Sequence, residues 1–446
     1  MSFVPHTEQE KKEMLAKIGV SSVEDLIKII PEQVRLKKDL DLPPALTEYE
    51  AVKLLGSYAK MNKSVDDYVC FNGAGAYNHY IPSLVFAVLE SPAFKTAYTP
   101  YQAEVSQGTL QAMYEYQSMI CALTGMDIAN ASMYDGGTAL AEACFLANAH
   151  NRKKRFVIAG SLNPNLRKVM ESECAGKEFT YEFVENPDGM CDMQALKNAV
   201  NNETAAVIVQ HPNPYGNLEN VFEVGKIAHE NSALFISIVD PISLGILETP
   251  KNYGADIVVG EGQGLGIPLS YGGPYLGIFA VTQELLRKIP GRISGVTEDA
   301  DGKRGFVLTL QTREQQIKRE KATSNICSNQ GLYMLASTVY MATMGKQGIK
   351  DAAEQSFQKA HYLANEISKI KGYSLLNDKP FFKEFLVKTP VPAKKIMEEA
   401  LKTGILAGID SIAHDFSKEG LLIAVTEVIT KSEMDNLLTV LKKFSA

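Results

Sequence analysis

The chain alternates between apolar runs and amphipathic segments from about Arg152 to Val281. The apolar runs are RFVIAG, FTYEFVEN, AAVIVQ, ALFISIVD, ADIVVG and YLGIFAV. Amphipathic segments separate some of these runs, namely NLRKVMESECAG, MQALKNAVN and VFEVGKIAHEN. Near-continuous apolar strands are typical of a sheet covered on both faces, and strand–helix alternation favours parallel pairing. The sequence therefore predicts an α/β fold with a mostly parallel central sheet flanked by helices.

The regions on either side of this pattern differ from it. Near the N-terminus, Thr7 with Glu10 and Thr47 with Glu50 have the spacing of capping boxes, which start helices. Near the C-terminus, the amphipathic segment IKDAAEQSFQKAHYLANEISKI precedes short strands and two more helices. The predicted division is an N-terminal helical arm over 1–70, a large α/β domain over 71–347 and a small C-terminal α+β domain over 348–446.

Composition and motif spacing argue against several classes of protein. The formal net charge of −7 does not favour a nucleic-acid partner. The seven histidines show no HxxxH or HExxH spacing and the six cysteines form no CxxC pair, which argues against a metal site. No run of about 18 apolar residues is present, and MSFVPHTEQEKKEM has no apolar signal core. We therefore expect a cytoplasmic protein that binds no metal, nucleic acid or membrane.

The segment YDGGTALAEA has the composition of an anion site at a helix start. Gly136 and Gly137 would let a phosphate approach the backbone, and Thr138 could add a hydroxyl group. The alternative is a glycine-rich turn in which Thr138 caps the helix. Spacing alone does not decide between the two.

A carboxylate, Asp240, ends the apolar run ALFISIVD. At the carboxyl end of a parallel strand it would face the ligand crevice, where it could pair with a protonated ring nitrogen of a cofactor. The alternative is that Asp240 caps the turn that begins at Pro241.

The glycine-rich stretch GEGQGLGIPLSYGGP follows the next apolar run. In pyridoxal-phosphate (PLP) enzymes, a phosphate site, an aspartate and then a lysine occur in this order, and the lysine forms a Schiff base with the cofactor. The first two marks are present here, but no lysine lies between Lys251 and Lys288. Gln263 cannot form a Schiff base.

Polar and aromatic side chains cluster in two loops ahead of the predicted sheet and in one segment after it. Such a density of hydrogen-bonding groups suits a substrate pocket or a partner surface, although loop packing also explains much of it. The stretches are NGAGAYNHYIPSLV and TAYTPYQAEVSQGTLQ ahead of the sheet and TSNICSNQ after it.

Five stretches carry a resemblance to a known family: TPYQAEVSQGTLQ, NASMYDGGTALAEA, GIPLSYGGPYLGIFA, PGRISGV and QTREQQIKREKATSNIC. Together they resemble the N-terminal half of the glycine cleavage system P-protein family, over roughly the whole chain. These are fold type I PLP-dependent transferases, which are aminotransferase-like. Some members are one long chain and others are two subunits. The length of this chain and its missing lysine are similar to subunit 1 of the two-subunit form.

The resemblance implies a division of labour. Gln263 would occupy the position of the Schiff-base lysine, so this chain alone would carry no catalytic residue. Subunit 2 would hold PLP covalently, and Gly136, Gly137, Thr138 and Asp240 would be vestiges of a cofactor site.

The resemblance also implies an activity, that of glycine dehydrogenase (aminomethyl-transferring, decarboxylating). An α2β2 assembly of the two subunits would decarboxylate glycine and transfer the aminomethyl group to the lipoyl arm of H-protein. Candidate residues that help wall the partner's active site are Tyr98, Tyr101 and Gln102, followed by Asn78, His79, Gln107 and Asn325.

Two alternatives remain open from the sequence. The chain could be a self-sufficient PLP enzyme that uses another lysine, such as Lys318 or Lys321. It could instead be a structural subunit that only stabilises subunit 2.

Overall fold

The computed structural model describes residues 5–38, 40–96, 99–185, 187–310, 315–322, 324, 326 and 329–445. The chain divides into two compact units, Met1–Lys63 and Ser64–Ala446. Among the helices of these described ranges, none is long and apolar enough to cross a lipid bilayer.

The first unit is helical, as its capping signals predict. Its helices are α1 (Glu8–Ile18), α2 (Val23–Leu26) and α3 (Glu48–Ala59). Both predicted capping boxes are confirmed, because Thr7 caps α1 with Glu10 and Thr47 caps α3 with Glu50. Each threonine oxygen accepts the amide hydrogen of its glutamate, and each glutamate accepts the amide hydrogen of its threonine.

The second unit contains the remaining helices and all strands found in the described residues. Its helices are α4 (Ser83–Leu89), α5 (Pro92–Lys95), α6 (Gln107–Thr124), α7 (Gly136–Asn151), α8 (Pro164–Glu173), α9 (Met193–Ala199), α10 (Val221–Glu230), α11 (Gln315–Lys318), α12 (Gly331–Ser368), α13 (Ala393–Leu401) and α14 (Lys431–Lys442). Its strands are β1 (Val69–Cys70), β2 (Ile128–Ala129), β3 (Arg155–Ala159), β4 (Thr180–Val184), β5 (Thr204–His211), β6 (Leu234–Val239), β7 (Ile257–Glu261), β8 (Gly277–Val281), β9 (Ile293–Glu298), β10 (Arg304–Thr309), β11 (Ser374–Leu375), β12 (Glu384–Lys388), β13 (Ile405–Leu406), β14 (Ile409–Asp410) and β15 (Leu421–Ala424).

A seven-stranded sheet forms the centre of this unit, in the order β2-β8-β7-β6-β5-β3-β4. The strands from β7 to β4 in this order pair in parallel, whereas β8 pairs antiparallel with β7 and with β2. All six apolar runs are strands of this sheet, so the predicted mostly parallel sheet is confirmed.

Apolar side chains cover both faces of the sheet. Along β5, Val207 and Val209 lie in one core cluster, and Ala206 and Ile208 lie in the other. Successive side chains of a strand point to opposite faces, so a strand buried on both sides is apolar throughout. The first cluster includes residues of α6 and α10, and the second includes residues of α7 and α8.

The C-terminal part has its own antiparallel sheet, in the order β11-β12-β15-β14. The second half of α12, together with α13 and α14, packs on it around a separate apolar cluster. Helix α12 changes direction at Gly345, whose φ of 59° and ψ of −175° are not helical. The domain boundaries at 70/71 and 347/348 stay predictions.

Candidate functional site

A cavity of about 530 Å³ lies where the carboxyl ends of the parallel strands meet the C-terminal part. Strands β3 and β5 are neighbours in the sheet. The chain continues from β3 to β4 on one side of this pair and from β5 to β6 on the other side, so it leaves the two strands in opposite directions. Ligands of open α/β sheets bind at such a switch point. The cavity wall includes Asn163, Gln210, Asp240, Glu261, Lys383 and Glu384.

The start of α7 lies at this cavity, as the glycine-rich segment predicts. The amide of Gly136 donates to Glu261 Oε2 at 3.0 Å, and the amide of Thr138 donates to Asp135 Oδ1 at 2.8 Å. Asp135, and not Thr138, is therefore the residue that caps the helix. A Cβ at Gly137 would lie 2.8 Å from Val169 Cβ, so this glycine also permits the close packing of α7 on α8.

Glu261 occupies the side of the cavity where a phosphate would meet the helix start. Its Oε1 accepts the amide hydrogens of Gln263 and Leu276, each at 3.1 Å. Burial raises the pKa of Glu261 to about 8, and its three backbone hydrogen bonds oppose that rise. Both carboxyl oxygens of Glu261 therefore accept hydrogen bonds from backbone amides of this chain.

Asp240 lies at the end of β6, where the sequence places it, and has two roles. Its Oδ1 accepts the amide hydrogen of Ile242 at 3.0 Å, which is the predicted turn cap. Its Oδ2 lies 2.7 Å from Lys383 Nζ. The carboxylate therefore pairs with a cation of this chain.

Lys383 is the central cation of the cavity wall and is only 2% exposed. Besides Asp240, its Nζ lies 2.8 Å from His79 Nε2 and 3.7 Å from the centre of the Tyr77 ring. Three acceptors for three N–H bonds indicate the ammonium form. His79 Nδ1 lies 2.7 Å from Glu427 Oε2, so these partners assign the His79 proton to Nδ1.

Gln263 is 2% exposed and binds backbone groups only. Its Oε1 accepts the Tyr77 amide hydrogen at 2.8 Å, and its Nε2 donates to the carbonyls of Tyr77 at 3.0 Å and Ile267 at 2.7 Å. An amide side chain is both donor and acceptor, whereas a lysine is a donor alone. Gln263 thus holds the Tyr77 loop against the segment after β7.

Glu384 fixes the other side of the same loop. Its carboxyl group accepts hydrogen bonds from the Ala74 amide at 2.6 Å and the Tyr77 hydroxyl at 2.9 Å. Burial raises the pKa of Glu384 to about 7, against the effect of both hydrogen bonds. A Cβ at Gly73 would lie 2.1 Å from Glu384 Oε1, so this close approach requires glycine.

The other candidate residues are distributed between the cavity and the surface. His79 contacts Lys383 of the cavity wall, and the Asn78 carbonyl accepts a hydrogen bond from Thr426 Oγ1 at 2.5 Å. Gln107 bonds the backbone of Phe306 through both Oε1 and Nε2, at 2.8 and 2.9 Å. The amide of Gln107 thereby joins the start of α6 to β10.

Tyr101 and Gln102 are exposed. Tyr101 is 54% exposed, and Arg292 Nη2 donates to its hydroxyl at 3.4 Å. Gln102 directly precedes a short 3₁₀ helix, Ala103–Val105. Tyr98 and Asn325 lie outside the described residues.

Sequence reasoning missed Lys383, Glu384 and Glu261, which line the cavity, and Glu427, which contacts His79. A signal was present in FFKEFLVK, where two adjacent charged residues interrupt an apolar strand. Buried charges of this kind require partners. The sequence does not show those partners, because Lys383 and Asp240 are far apart along the chain.

The residues of this cavity do not fit PLP. The position expected for the Schiff-base lysine holds Gln263, whose amide is bound to the backbone. The first amide of α7 is bound to Glu261, and Asp240 is paired with Lys383. The groups that would bind the aldehyde, phosphate and ring nitrogen of the cofactor all have other roles here.

Known sequences place the chain in one family. The model of the family described as Glycine cleavage system P-protein matches residues 1–441. A probable glycine dehydrogenase (decarboxylating) subunit 1 from Chloroherpeton thalassium is 54% identical over 443 residues, which cover 99% of this chain and 100% of the relative. A protein of the same description from Chlorobaculum tepidum is 54% identical over 442 residues, covering 98% and 99%.

Solved structures agree in fold. A crystal structure of glycine decarboxylase (P-protein) of the glycine cleavage system, in inhibitor-bound form, is 37% identical with a TM-score of 0.90, and all of both chains is covered. A sphingosine-1-phosphate lyase from Burkholderia pseudomallei, 14% identical with a TM-score of 0.67 over 93% and 94% of the chains, shares the fold alone. The predicted fold type I architecture of PLP-dependent enzymes is confirmed. The chain belongs to the glycine cleavage system P-protein family.

Proposed function

We propose that this chain is subunit 1 of a two-subunit glycine dehydrogenase (decarboxylating). In this proposal, subunit 2 holds PLP through its own lysine. The assembly releases CO2 from glycine and transfers the aminomethyl group to the lipoyl arm of H-protein. The observation that carries the proposal is the bound amide of Gln263 at the position where a PLP enzyme of this fold needs a free amine.

An active site shared between the subunits is the form of the proposal that gives this chain a role in binding. Tyr101 and Gln102 are its best candidates among the described residues, since both are exposed. Tyr98 belongs to the same segment of sequence and stays a candidate, as does Asn325. His79 and Gln107 bind groups of their own chain, so their expected contribution is to hold loops in place.

The alternative of a self-sufficient PLP enzyme has less support. Lys318 and Lys321 line a small surface cavity together with Arg287 and Lys288, and not the crevice at the strand ends. Lys383 does line the crevice, but its ammonium group is held by Asp240 and His79. A Schiff base requires the neutral amine.

Co-purification and isotope exchange test the proposal. This chain is produced together with a P-protein subunit 2, and glycine–bicarbonate exchange is measured for each subunit and for the mixture. We expect a stable complex, with α2β2 mass, and exchange only when both subunits are present. Exchange by this chain alone would contradict the proposal.

Substitutions then separate a shared site from a purely structural role. Tyr98→Phe, Tyr101→Phe and Gln102→Ala are expected to lower kcat or raise KM for glycine, while the complex still forms. Tyr114→Phe, on the exposed side of α6, is the matched control. If all three variants keep both constants, subunit 1 only stabilises subunit 2.

A further inference from the structure

The crevice contains its own counter-ion for Asp240. In the described part of the chain, the Asp240 carboxylate faces Lys383 Nζ at 2.7 Å, and the lysine is buried almost completely. A bound ligand would have to offer Asp240 a cationic group, and the chain itself already supplies one. The ammonium group has no free N–H donor left for a ligand, because His79 Nε2 and the Tyr77 ring take its other N–H bonds.

The helix start opposite is filled in the same way. Exposed amides at a helix N-terminus attract an acceptor group, and a carboxyl oxygen of Glu261 occupies that place on Gly136. The other oxygen of Glu261 receives the amide hydrogens of Gln263 and Leu276. A phosphate would have to displace a buried side chain that makes three hydrogen bonds.

We propose that Lys383 and Glu261 act as internal substitutes for the cationic and acceptor groups of a ligand, so that this crevice is closed to phosphorylated pyridine compounds by its own side chains. The missing lysine alone would prevent a covalent bond but not binding. Lys383 and Glu261 prevent non-covalent binding as well. The side chains in the crevice then connect the seven-stranded sheet to the four-stranded sheet. The inference concerns this chain by itself, and its test does not depend on glycine decarboxylation.

The first experiment replaces the internal cation by a soluble one. Lys383→Ala leaves the half-buried Asp240 carboxylate without its cation and with an open space beside it, so the unfolding temperature is expected to fall. Propylammonium ions should then recover part of the loss, and the recovery should grow with the logarithm of their concentration, because binding to the folded state stabilises it. Lys379→Ala, which removes an exposed lysine of the same segment, should show neither the loss nor the recovery.

A double variant keeps this test decisive if Lys383→Ala does not fold. Lys383→Met with Asp240→Asn removes both charges, and replacement of a buried ion pair by neutral groups is often tolerated. This double variant should fold, and propylammonium should not change its unfolding temperature. A rise in that temperature would show that the ion binds elsewhere on the protein. Propanol at equal concentration controls for a solvent effect. No recovery of Lys383→Ala by propylammonium, in a folded variant, overturns the counter-ion role.

The second experiment measures closure directly with pyridoxamine 5′-phosphate, which needs no lysine to bind. Its fluorescence anisotropy should show no binding to the wild-type chain. Glu261→Ala combined with Lys383→Met is expected to bind it, at least about tenfold more tightly than the weakest binding that the assay detects. Equal binding by both proteins, or binding by neither, overturns the proposed closure.

Discussion

At the scale of single residues, the crevice depends on side chains in which each donor and each acceptor has its own partner. Gln263 accepts one backbone hydrogen bond and donates two, and the Lys383 ammonium group has three acceptors. Removing one partner of a buried hydrogen bond costs more stability than the intact bond contributes, because the other partner stays buried and unsatisfied. Conservative substitutions should therefore be costly here.

Replacing Gln263 by lysine should destabilise the chain, although it restores the residue type expected of a PLP enzyme. Gln263→Lys leaves the Tyr77 amide hydrogen without its acceptor and places an ammonium group beside that donor. We expect a loss of about 2–4 kcal/mol in the free energy of unfolding, measured with urea. The exposed change Gln102→Lys should cost less than about 0.5 kcal/mol. Equal stability of the two variants would show that the Gln263 contacts contribute little.

Glu142 gives a pH prediction at the same scale. Burial raises the pKa of this carboxyl group from 4.5 to about 7, the Ser324 hydroxyl lowers it, and the Glu173 charge raises it. The folded state thus holds the proton more tightly than the unfolded state. Its contribution to stability is complete below about pH 4.5 and is lost as the pH rises through 7.

The variant Glu142→Gln tests this contribution, since the amide cannot ionise and the Ser324 hydroxyl can still bond to it. Urea unfolding between about pH 5 and pH 8 should show a steeper fall in stability for the wild type than for the variant. The expected difference is on the order of 1–3 kcal/mol. Parallel curves for the two proteins would mean that Glu142 does not titrate in this range.

At the scale of elements, the sequence predicts what local pattern determines. The six apolar runs are long enough to show a strand, and the capping boxes near the N-terminus lie within four residues each. Strands β1 and β13 have two residues each and pair with one another from Val69–Cys70 to Ile405–Leu406. Such short strands carry no periodicity, and their pairing depends on distant parts of the chain.

The same distinction explains the candidate site. Asp240 and the start of α7 are visible in sequence because the end of a strand and the start of a helix have local signatures. The pairing of Asp240 with Lys383 joins two elements that the sequence predicts separately. A buried charge shows that a partner exists, but only the fold shows which one.

The contact between α7 and α8 gives a prediction at the element scale. A Cβ at Gly137 would lie 2.8 Å from Val169 Cβ. We expect Gly137→Ala to cost about 1–3 kcal/mol of unfolding free energy, because the two helices must move apart. Adding Val169→Ala should recover part of that loss, which a double-mutant cycle measures.

A matched glycine lies in another helix of the same unit. A Cβ at Gly108 in α6 would meet no atom within 4 Å, so Gly108→Ala should leave stability unchanged or raise it by up to about 1 kcal/mol. If Gly137→Ala is as harmless as Gly108→Ala, the close approach does not restrict this position.

At the scale of the whole molecule, one network of charged and polar groups joins the seven-stranded and the four-stranded sheets of the second unit. Asp240 follows β6 of the central sheet, and Lys383 precedes β12 of the antiparallel sheet. His79 lies between Lys383 and Glu427, which follows β15. The network connects parts of the chain that the hydrophobic clusters keep separate.

His79 is the residue whose loss should uncouple these parts. His79→Ala removes the acceptor of one Lys383 N–H bond and the donor to Glu427, so it leaves two buried charges with incomplete partners. We expect a loss of about 2–4 kcal/mol and faster hydrogen exchange in β12 and β15, with little change in β3 and β5. Tyr80→Ala is the control, because it removes an exposed side chain and keeps the hydrogen bond from the backbone amide of residue 80 to Glu427. Equal acceleration of exchange in β5 and β12 would show that the two sheets open together and that the network does not join separate units of stability.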